Sequence, residues 1–233
     1  MRPEPITASN CSIVMISPAE TPSWRRASSD PFSTFQLPGT TDENQKGIKK
    51  DEQCIDRLSR VWYWKGPAWY QRRVTIPDTW QGQRITLLLE RSKHTRVWVD
   101  QAFCGWEDTL SAPQVFDVTA AMTPGEHTIT VLVDNARLPP VGPSHAVDER
   151  TQTNWNGIVG RIELIAFEKI WIDDLQAYPR PDKGTMRVVA EIGNQPPFTG
   201  VVHATFSAQV VGEDDTLSIP ARRVEVELAG HVT

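Results

Sequence analysis

The segment 201–211 reads VVHATFSAQVV and the segment 186–192 reads MRVVAEI, and in both an apolar side chain stands at every second position. Successive side chains of a β-strand point to opposite faces of a sheet, so this period of two predicts strands with one buried and one hydrated face. Nowhere do apolar residues keep the i, i+3, i+4, i+7 spacing of an amphipathic helix. These patterns predict an all-β protein.

Working outward from these segments, short runs of β-branched and aromatic residues recur from Val61 onward, with turn-forming residues between them. The turn signals include TPG at 123–125 and RPDKG at 180–184. Many short strands separated by such turns are typical of a sandwich or a barrel. The predicted strands are 69–76, 84–91, 95–99, 114–118, 127–134, 160–167, 171–178, 186–192, 201–211 and 223–228.

Three segments are predicted along the chain. Residues 1–34 show no period and are predicted to be an irregular N-terminal segment, residues 35–168 to form a β-sandwich, and residues 169–233 to form part of a second one. Tryptophan content supports the second boundary, since eight of the nine tryptophans lie at or before Trp155 and only Trp171 lies beyond it. Between Asp134 and Gly160 runs a polar connection far longer than usual, which makes it the first place to look for a functional site.

Composition excludes several classes of partner. A formal net charge of -5 opposes binding to nucleic acid or to an anionic membrane surface. No apolar run approaches the roughly 20 residues that cross a bilayer. The opening residues 1–16 lack a continuous apolar stretch of signal-peptide length, so the sequence leaves the localisation open. A periplasmic or extracellular location would require a further segment upstream.

Common catalytic and metal-binding motifs are missing from the sequence. There is no Gly-x-Ser-x-Gly, no phosphate-binding glycine-rich loop and no His-Glu-x-x-His. The five histidines are scattered without the spacing of metal ligands, and adjacent acids such as Glu107 and Asp108 are usually solvated. No cofactor is therefore expected, although calcium binding stays open.

The long polar connection carries the strongest candidate residues. Its segment 151–158 reads TQTNWNGI and concentrates amides, hydroxyls and the indole of Trp155, a mixture that suits a cleft for polyols. Flat aromatic faces can stack on the C–H faces of sugar rings. Packing within the protein is the simpler explanation for most other tryptophans, whereas for Trp155 ligand contact and a structural role weigh equally.

Several spaced motifs resemble glycoside hydrolase family 2. They are GPAWYQRR at 66–73, VWVD at 97–100 and TQTNWNGIVGR at 151–161, joined by LPGTTDEN at 37–44 and LSAP at 110–113. The resemblance is to the N-terminal sugar-binding domain of β-galactosidase-like members and covers residues 35–167, while residues from Trp171 onward resemble the start of the second domain. It implies a galactose-binding-like jelly-roll β-sandwich followed by a partial immunoglobulin-like β-sandwich.

The resemblance also implies what this chain does not carry. Family members hold two catalytic glutamates on a (β/α)8 barrel, one of them in an Asn-Glu dipeptide, and no asparagine here is followed by glutamate. The expected opening strand before the LPG motif is also missing from the predicted pattern. The chain is therefore expected to be a fragment or a truncated product that is inactive by itself.

In related enzymes an acidic residue shortly before the Asn-aromatic-x-Gly-Ile turn reaches the barrel's active site. By register that position is Thr151 here, and Asn154 occupies the matching place in the turn. The expected substrate-binding residues are His145, Asp148, Glu149, Thr151, Asn154 and Trp155.

Three functions stay open at this point. The chain is expected foremost to be a non-catalytic part of a family 2 glycoside hydrolase that supplies a sugar-recognition loop, with carbohydrate and the catalytic barrel of the same or a neighbouring chain as partners. The alternatives are a stand-alone lectin-like module and a packing scaffold without sugar contact.

Overall fold

Antiparallel strands make up nearly all the regular structure of the computed structural model, which describes residues 6–7, 10–15, 33–51, 60–137, 155–195, 199–209 and 218–228. The chain divides into two compact units, Met1–Phe167 and Glu168–Thr233. This division lies one residue from the boundary predicted at 168/169. The all-β class predicted from the alternating patterns is confirmed.

The first unit contains thirteen described strands and two short 3-10 turns, Asp78–Trp80 and Thr119–Ala121. The strands are β1 (Ile6–Thr7), β2 (Asn10–Met15), β3 (Ser33–Gln36), β4 (Gly39–Thr40), β5 (Ile48–Lys49), β6 (Trp62–Tyr63), β7 (Pro67–Ile76), β8 (Arg84–Arg91), β9 (His94–Val99), β10 (Ala102–Glu107), β11 (Gln114–Asp117), β12 (Gly125–Asp134) and β13 (Gly157–Phe167).

Two larger sheets form the sandwich. The six-stranded sheet has the order β10-β9-β12-β7-β2-β3, and the five-stranded sheet has the order β1-β13-β8-β11 with β4 paired to β13. Strands β5 and β6 form a separate pair. In β9 the side chains of Thr95, Val97 and Val99 are buried, and the alternate residues His94, Arg96 and Trp98 face the other way, as the period of two requires.

One hydrophobic core joins the inner faces of both sheets. Each fully buried aliphatic or aromatic side chain contributes about 1.5–3 kcal/mol relative to an exposed one. Burial of these side chains therefore holds the two sheets together. Its members on β7, β8, β9, β12 and β13 include Ala68, Tyr70, Leu87, Leu89, Val97, Val99, Val131, Val133, Ile162 and Leu164.

Two predictions about the first unit are wrong. Residues 6–7, 10–15 and 33–34 lie in strands rather than in an irregular segment, because β1 pairs with β13 and β2 pairs with both β3 and β7. Strand β2 supplies the strand that was expected before the LPG motif. Strand β10 was not predicted either. Its AFCGWE sequence lacks β-branched residues, and a bulge between Phe103 and Gly105 breaks the period of two.

The second unit consists, in its described part, of two antiparallel hairpins. The first is β14 (Ile170–Arg180) with β15 (Thr185–Asn194), joined through the 3-10 turn Pro181–Lys183 and a left-handed Gly184, and the second is β16 (Gly200–Gln209) with β17 (Ser218–Leu228). Val210 and Val211, predicted at the end of a strand, lie outside the described residues. No residue of this unit for which burial is described is fully buried, and Ile172 and Leu175 are 62% and 58% exposed.

Candidate functional site

The long connection between β12 and β13 leaves and re-enters the sandwich through two buried asparagines. Asn135 follows β12, Asn156 precedes β13, and both are 0% exposed. The Asn135 amide oxygen accepts a hydrogen bond from the Gly66 N–H at 2.8 Å, and its Nδ2 donates to the Trp64 carbonyl oxygen at 2.9 Å. Asn156 Nδ2 donates to the carbonyl oxygen of Gly66 at 3.0 Å. Both ends of the connection are therefore fixed to the same segment, 64–66.

Asn156 is also the centre of a wider buried network. Its Nδ2 donates to the Val133 carbonyl oxygen at 3.0 Å, and its Oδ1 accepts from the Tyr70 hydroxyl at 2.8 Å. Its own carbonyl oxygen accepts the Thr41 N–H at 2.8 Å. Buried polar groups satisfied in this way rigidify their surroundings, since any alternative arrangement leaves donors or acceptors unpaired. The network holds the residue beside Trp155 in one position.

The loop that bears the LPGTTDEN motif packs against the same end of the sandwich. Gly157 has φ +149°, and a Cβ there would lie 2.3 Å from the Gly39 carbonyl oxygen, so only glycine permits β4 to pair with β13. Asn44 closes the loop, because its Oδ1 accepts the Gln36 N–H at 2.7 Å and its Nδ2 donates to the carbonyl oxygen of Thr40 at 3.0 Å. The side chains of Thr40, Glu43 and Asn44 thus have hydrogen-bond partners within this loop.

Trp155 lies at this end of the sandwich, half-buried, with a lysine over its ring. The Lys93 Nζ is 4.4 Å from the centroid of the indole, within the range of a cation–π contact. Lys93 is only 7% exposed. Its carbonyl oxygen accepts hydrogen bonds from Gln114 Nε2 at 2.8 Å and from Thr95 Oγ1 at 3.0 Å, which anchor its backbone beside β9.

Electrostatics at this end combine two cations with two acids. Burial, assisted by the nearby positive charge of Arg60, lowers the pKa of Lys93 to about 8. Burial also lowers the pKa of the Arg60 guanidinium, whereas the carboxylates of Asp42 and Glu43 counteract this effect. At neutral pH Lys93 is therefore nearer to its titration midpoint than an ordinary lysine. A half-buried indole beside such groups can present an aromatic surface and hydrogen-bonding groups to the same polar ligand.

Of the predicted site residues, Trp155 lies within the described part of the chain, at this end of the sandwich. His145, Asp148, Glu149, Thr151 and Asn154 lie outside the described residues, so their predicted roles stay predictions. Lys93, Asn135 and Asn156 were not among the predicted site residues. Two signals were present, namely a lysine at the entrance to a strand and an asparagine at each end of an unusually long connection.

No group of three or more histidine, cysteine, aspartate or glutamate side chains within the described ranges is arranged to hold a metal ion. The prediction that no cofactor is needed, with calcium left open, stays a prediction. In the part of the chain that the structure describes, no helix is long and apolar enough to span a membrane.

The fold and this site together define a class: an antiparallel β-sandwich that anchors a long polar connection beside an aromatic residue at one end. Comparison with known families identifies it further. Residues 53–167 match the family model described as "Glycosyl hydrolases family 2, sugar binding domain", and this part of the chain is a sugar-binding domain of that family.

Solved structures show the same fold. A calcium binding mutant of Bacteroides uniformis beta-glucuronidase 2 is 17% identical with a TM-score of 0.66, and the alignment covers 98% of this chain but 27% of that one. A putative beta-galactosidase from Bacteroides fragilis is 14% identical with a TM-score of 0.70, covering 98% and 34%. Faecalibacterium prausnitzii beta-glucuronidase is 21% identical with a TM-score of 0.63, covering 98% and 42%. The chain therefore spans less than half the length of these proteins.

Proposed function

We propose that the chain is the non-catalytic amino-terminal portion of a family 2 glycoside hydrolase, and that the end of its sandwich helps to hold a sugar for a catalytic barrel. The barrel would belong to another segment of the same polypeptide or to a neighbouring one. The observation that carries this proposal is the buried Asn135–Asn156 network, because it fixes both ends of the long connection and the backbone next to Trp155. The family assignment of residues 53–167 supports the ligand class.

The proposed mechanism is positional rather than chemical. Reacting groups accelerate a reaction only when they are held in the productive geometry, and a misplacement of about 1 Å can cost a hundredfold in rate. Trp155 would contact the sugar through the part of its indole that remains exposed, while Lys93 steadies the ring. Asn154, Thr151, Asp148, Glu149 and His145 are proposed to contribute the remaining polar contacts from the connection.

Calorimetric titration of the 233-residue chain with galactose and with glucuronate tests this proposal. These sugars are chosen because the solved relatives are named as beta-galactosidase and beta-glucuronidase. We expect weak binding of at least one sugar, in the millimolar range, which Trp155→Ala abolishes and the matched control Trp171→Ala in the second unit preserves. Equal binding by the two variants, or none by the unmodified chain, contradicts a sugar site at Trp155.

Hydrolysis by the isolated chain provides a second test. Incubation with nitrophenyl galactoside and nitrophenyl glucuronide should release no nitrophenol above a protein-free blank, since the proposal assigns bond cleavage to the barrel. Turnover that survives repurification would contradict the proposal.

A second candidate function, packing support for further polypeptide, is favoured by one specific observation. The strand pair β14–β15 places Ile172, Leu175 and Met186 on one face of the hairpin, and they are 62%, 58% and 47% exposed. Exposed apolar surface of this kind usually marks an interaction site. Measurement of 8-anilinonaphthalene-1-sulfonate fluorescence with and without a separately produced family 2 barrel would test it, and dye displacement on mixing is the expected result.

A further inference from the structure

A second aromatic surface lies on the outer face of the six-stranded sheet. We call it the aromatic face and define it by Trp69 on β7, His94 and Trp98 on β9, and Phe103 and Trp106 on β10. In β9 and β7 the neighbouring residues in sequence, such as Val97 and Ala68, point into the core, so these rings point away from it. None of them belongs to the network around Asn156.

The rings of the aromatic face support one another. Trp98 and Phe103 are directly opposite in the β9–β10 pair, with centroids 5.4 Å apart, and the Trp69 and Trp98 centroids are 5.3 Å apart across β12. His94 stacks on Trp106 with centroids 5.7 Å apart and an interplanar angle of 17°. Rings that are already held in place lose little conformational freedom when a ligand binds.

The same face carries polar groups between the rings. Arg96 lies opposite Trp106, and Thr130 lies opposite Trp98, with Gln71 Nε2 donating to the Thr130 hydroxyl at 3.2 Å. A purely apolar partner would desolvate these groups at a cost. A ligand that presents both C–H faces and hydroxyl groups matches the whole surface.

The exposed aromatic area of this face matches a short segment of a glycan. Phe103 and Trp106 are 55% and 56% exposed. Because an aromatic side chain offers roughly 150–250 Å², the two together expose about 200 Å². An area of this size accommodates a few sugar rings, whose C–H faces stack on flat aromatic side chains.

The aromatic face also adjoins the candidate site along the backbone. His94 directly follows Lys93, and it pairs with Asp134, the last residue of β12 before the long connection. A glycan bound at the end of the sandwich would therefore lie next to further aromatic side chains.

From these observations we propose that the aromatic face binds a glycan chain through Trp106 and Phe103, as a second carbohydrate-binding surface apart from Trp155. It uses different residues from the proposed function and can succeed or fail independently. Bound there, a polysaccharide would be held on the protein regardless of which terminal sugar the sandwich end selects.

Native gel electrophoresis of the full 233-residue chain through gels that contain soluble galactan, glucomannan or xylan tests this inference. We expect at least one polysaccharide to retard the protein. Trp106→Ala and Phe103→Ala should each weaken the affinity about tenfold. The matched control Tyr178→Ala, an aromatic that is 42% exposed in the second unit, should leave it unchanged. Circular dichroism establishes that each variant is folded.

Three results would overturn the inference. One is an unretarded chain in all three polysaccharides, and another is retardation that Trp106→Ala and Phe103→Ala do not alter. The third is a dimer in sedimentation velocity that Trp106→Ala dissociates, since a second copy would then be the occupant. Loss of galactose or glucuronate binding on Trp155→Ala, together with unchanged retardation on Trp106→Ala, would refute this inference while supporting the proposed function.

Discussion

Replacing Asn156 by alanine should destabilise the first unit more than any other single loss of a polar side chain in the loops described above. The side chain donates to the carbonyl oxygens of Gly66 and Val133 and accepts from the Tyr70 hydroxyl, all at 3.0 Å or less. Alanine leaves these groups without that partner in a region where Asn156 is 0% exposed.

The magnitude follows from these three bonds. Each buried polar group left unsatisfied costs about 1–3 kcal/mol, and local relaxation favours the lower end, so Asn156→Ala should cost about 3 kcal/mol. In a protein of this size about 1 kcal/mol lowers Tm by roughly 2–4 °C, which gives a fall of roughly 6–12 °C. Tyr70→Phe removes only one of the bonds and should cost about 1 kcal/mol.

Urea unfolding followed by tryptophan fluorescence measures these differences, and Asn44→Ala is the matched control. Asn44 also makes three side-chain hydrogen bonds, but it is only half-buried and two of its bonds are exposed to water. Asn44→Ala should therefore lower the free energy of unfolding by about 1 kcal/mol. If Asn156→Ala costs no more than Asn44→Ala, burial of the network does not stabilise the loop ends and the reasoning is refuted.

Three further predictions concern titration and backbone geometry. His127 Nδ1 lies 2.7 Å from Asp100 and its Nε2 lies 2.7 Å from a carbonyl oxygen, so both nitrogens must donate and the hydrogen bond to Asp100 raises the pKa of His127. The ion pair contributes about 1 kcal/mol to the free energy of unfolding, fully below the unfolded pKa near 6.5, and this contribution is lost as pH rises through the higher folded pKa. The melting temperatures of the native protein and of His127→Gln should therefore differ at pH 5.5 and converge by pH 9. Lys93, with its pKa lowered to about 8, should show an NMR titration midpoint well below the ordinary 10.5, and a midpoint at the ordinary value would contradict its burial. Gly157→Ala should lower stability by more than about 2 kcal/mol in a chemical melt, because its Cβ meets backbone at a positive φ, and a neutral effect would show that the β4–β13 contact is dispensable.

The strands were predictable wherever an apolar period of two survives. The segment 84–91 has the same bounds in the prediction and in the structure, and 171–178 lies within β14. Strand β10 was not predictable in this way, since its bulge shifts the register between Phe103 and Gly105. Strand β2 was missed because its NCSIVM sequence is short and is surrounded by residues without a period.

The site was predictable only in part, for a physical reason. Trp155 could be singled out because an indole within a polar loop is unusual, whereas Asn135 and Asn156 acquire their role through bonds to residues about 70 and 90 positions away. Likewise, Lys93 and Trp155 meet only because the β8–β9 turn and the start of β13 reach the same end of the sandwich. Such pairings follow from strand order, which a single sequence does not reveal.

The most direct test follows the indole N–H signals of the ¹⁵N-labelled chain by NMR during titration with galactose and glucuronate. Saturable movement of the Trp155 signal, with the Trp171 signal unchanged, is the predicted result. A Trp155 signal that stays still up to sugar concentrations of about 100 mM, well above the Kd of millimolar binding, would contradict the assignment of sugar recognition to the end of the sandwich.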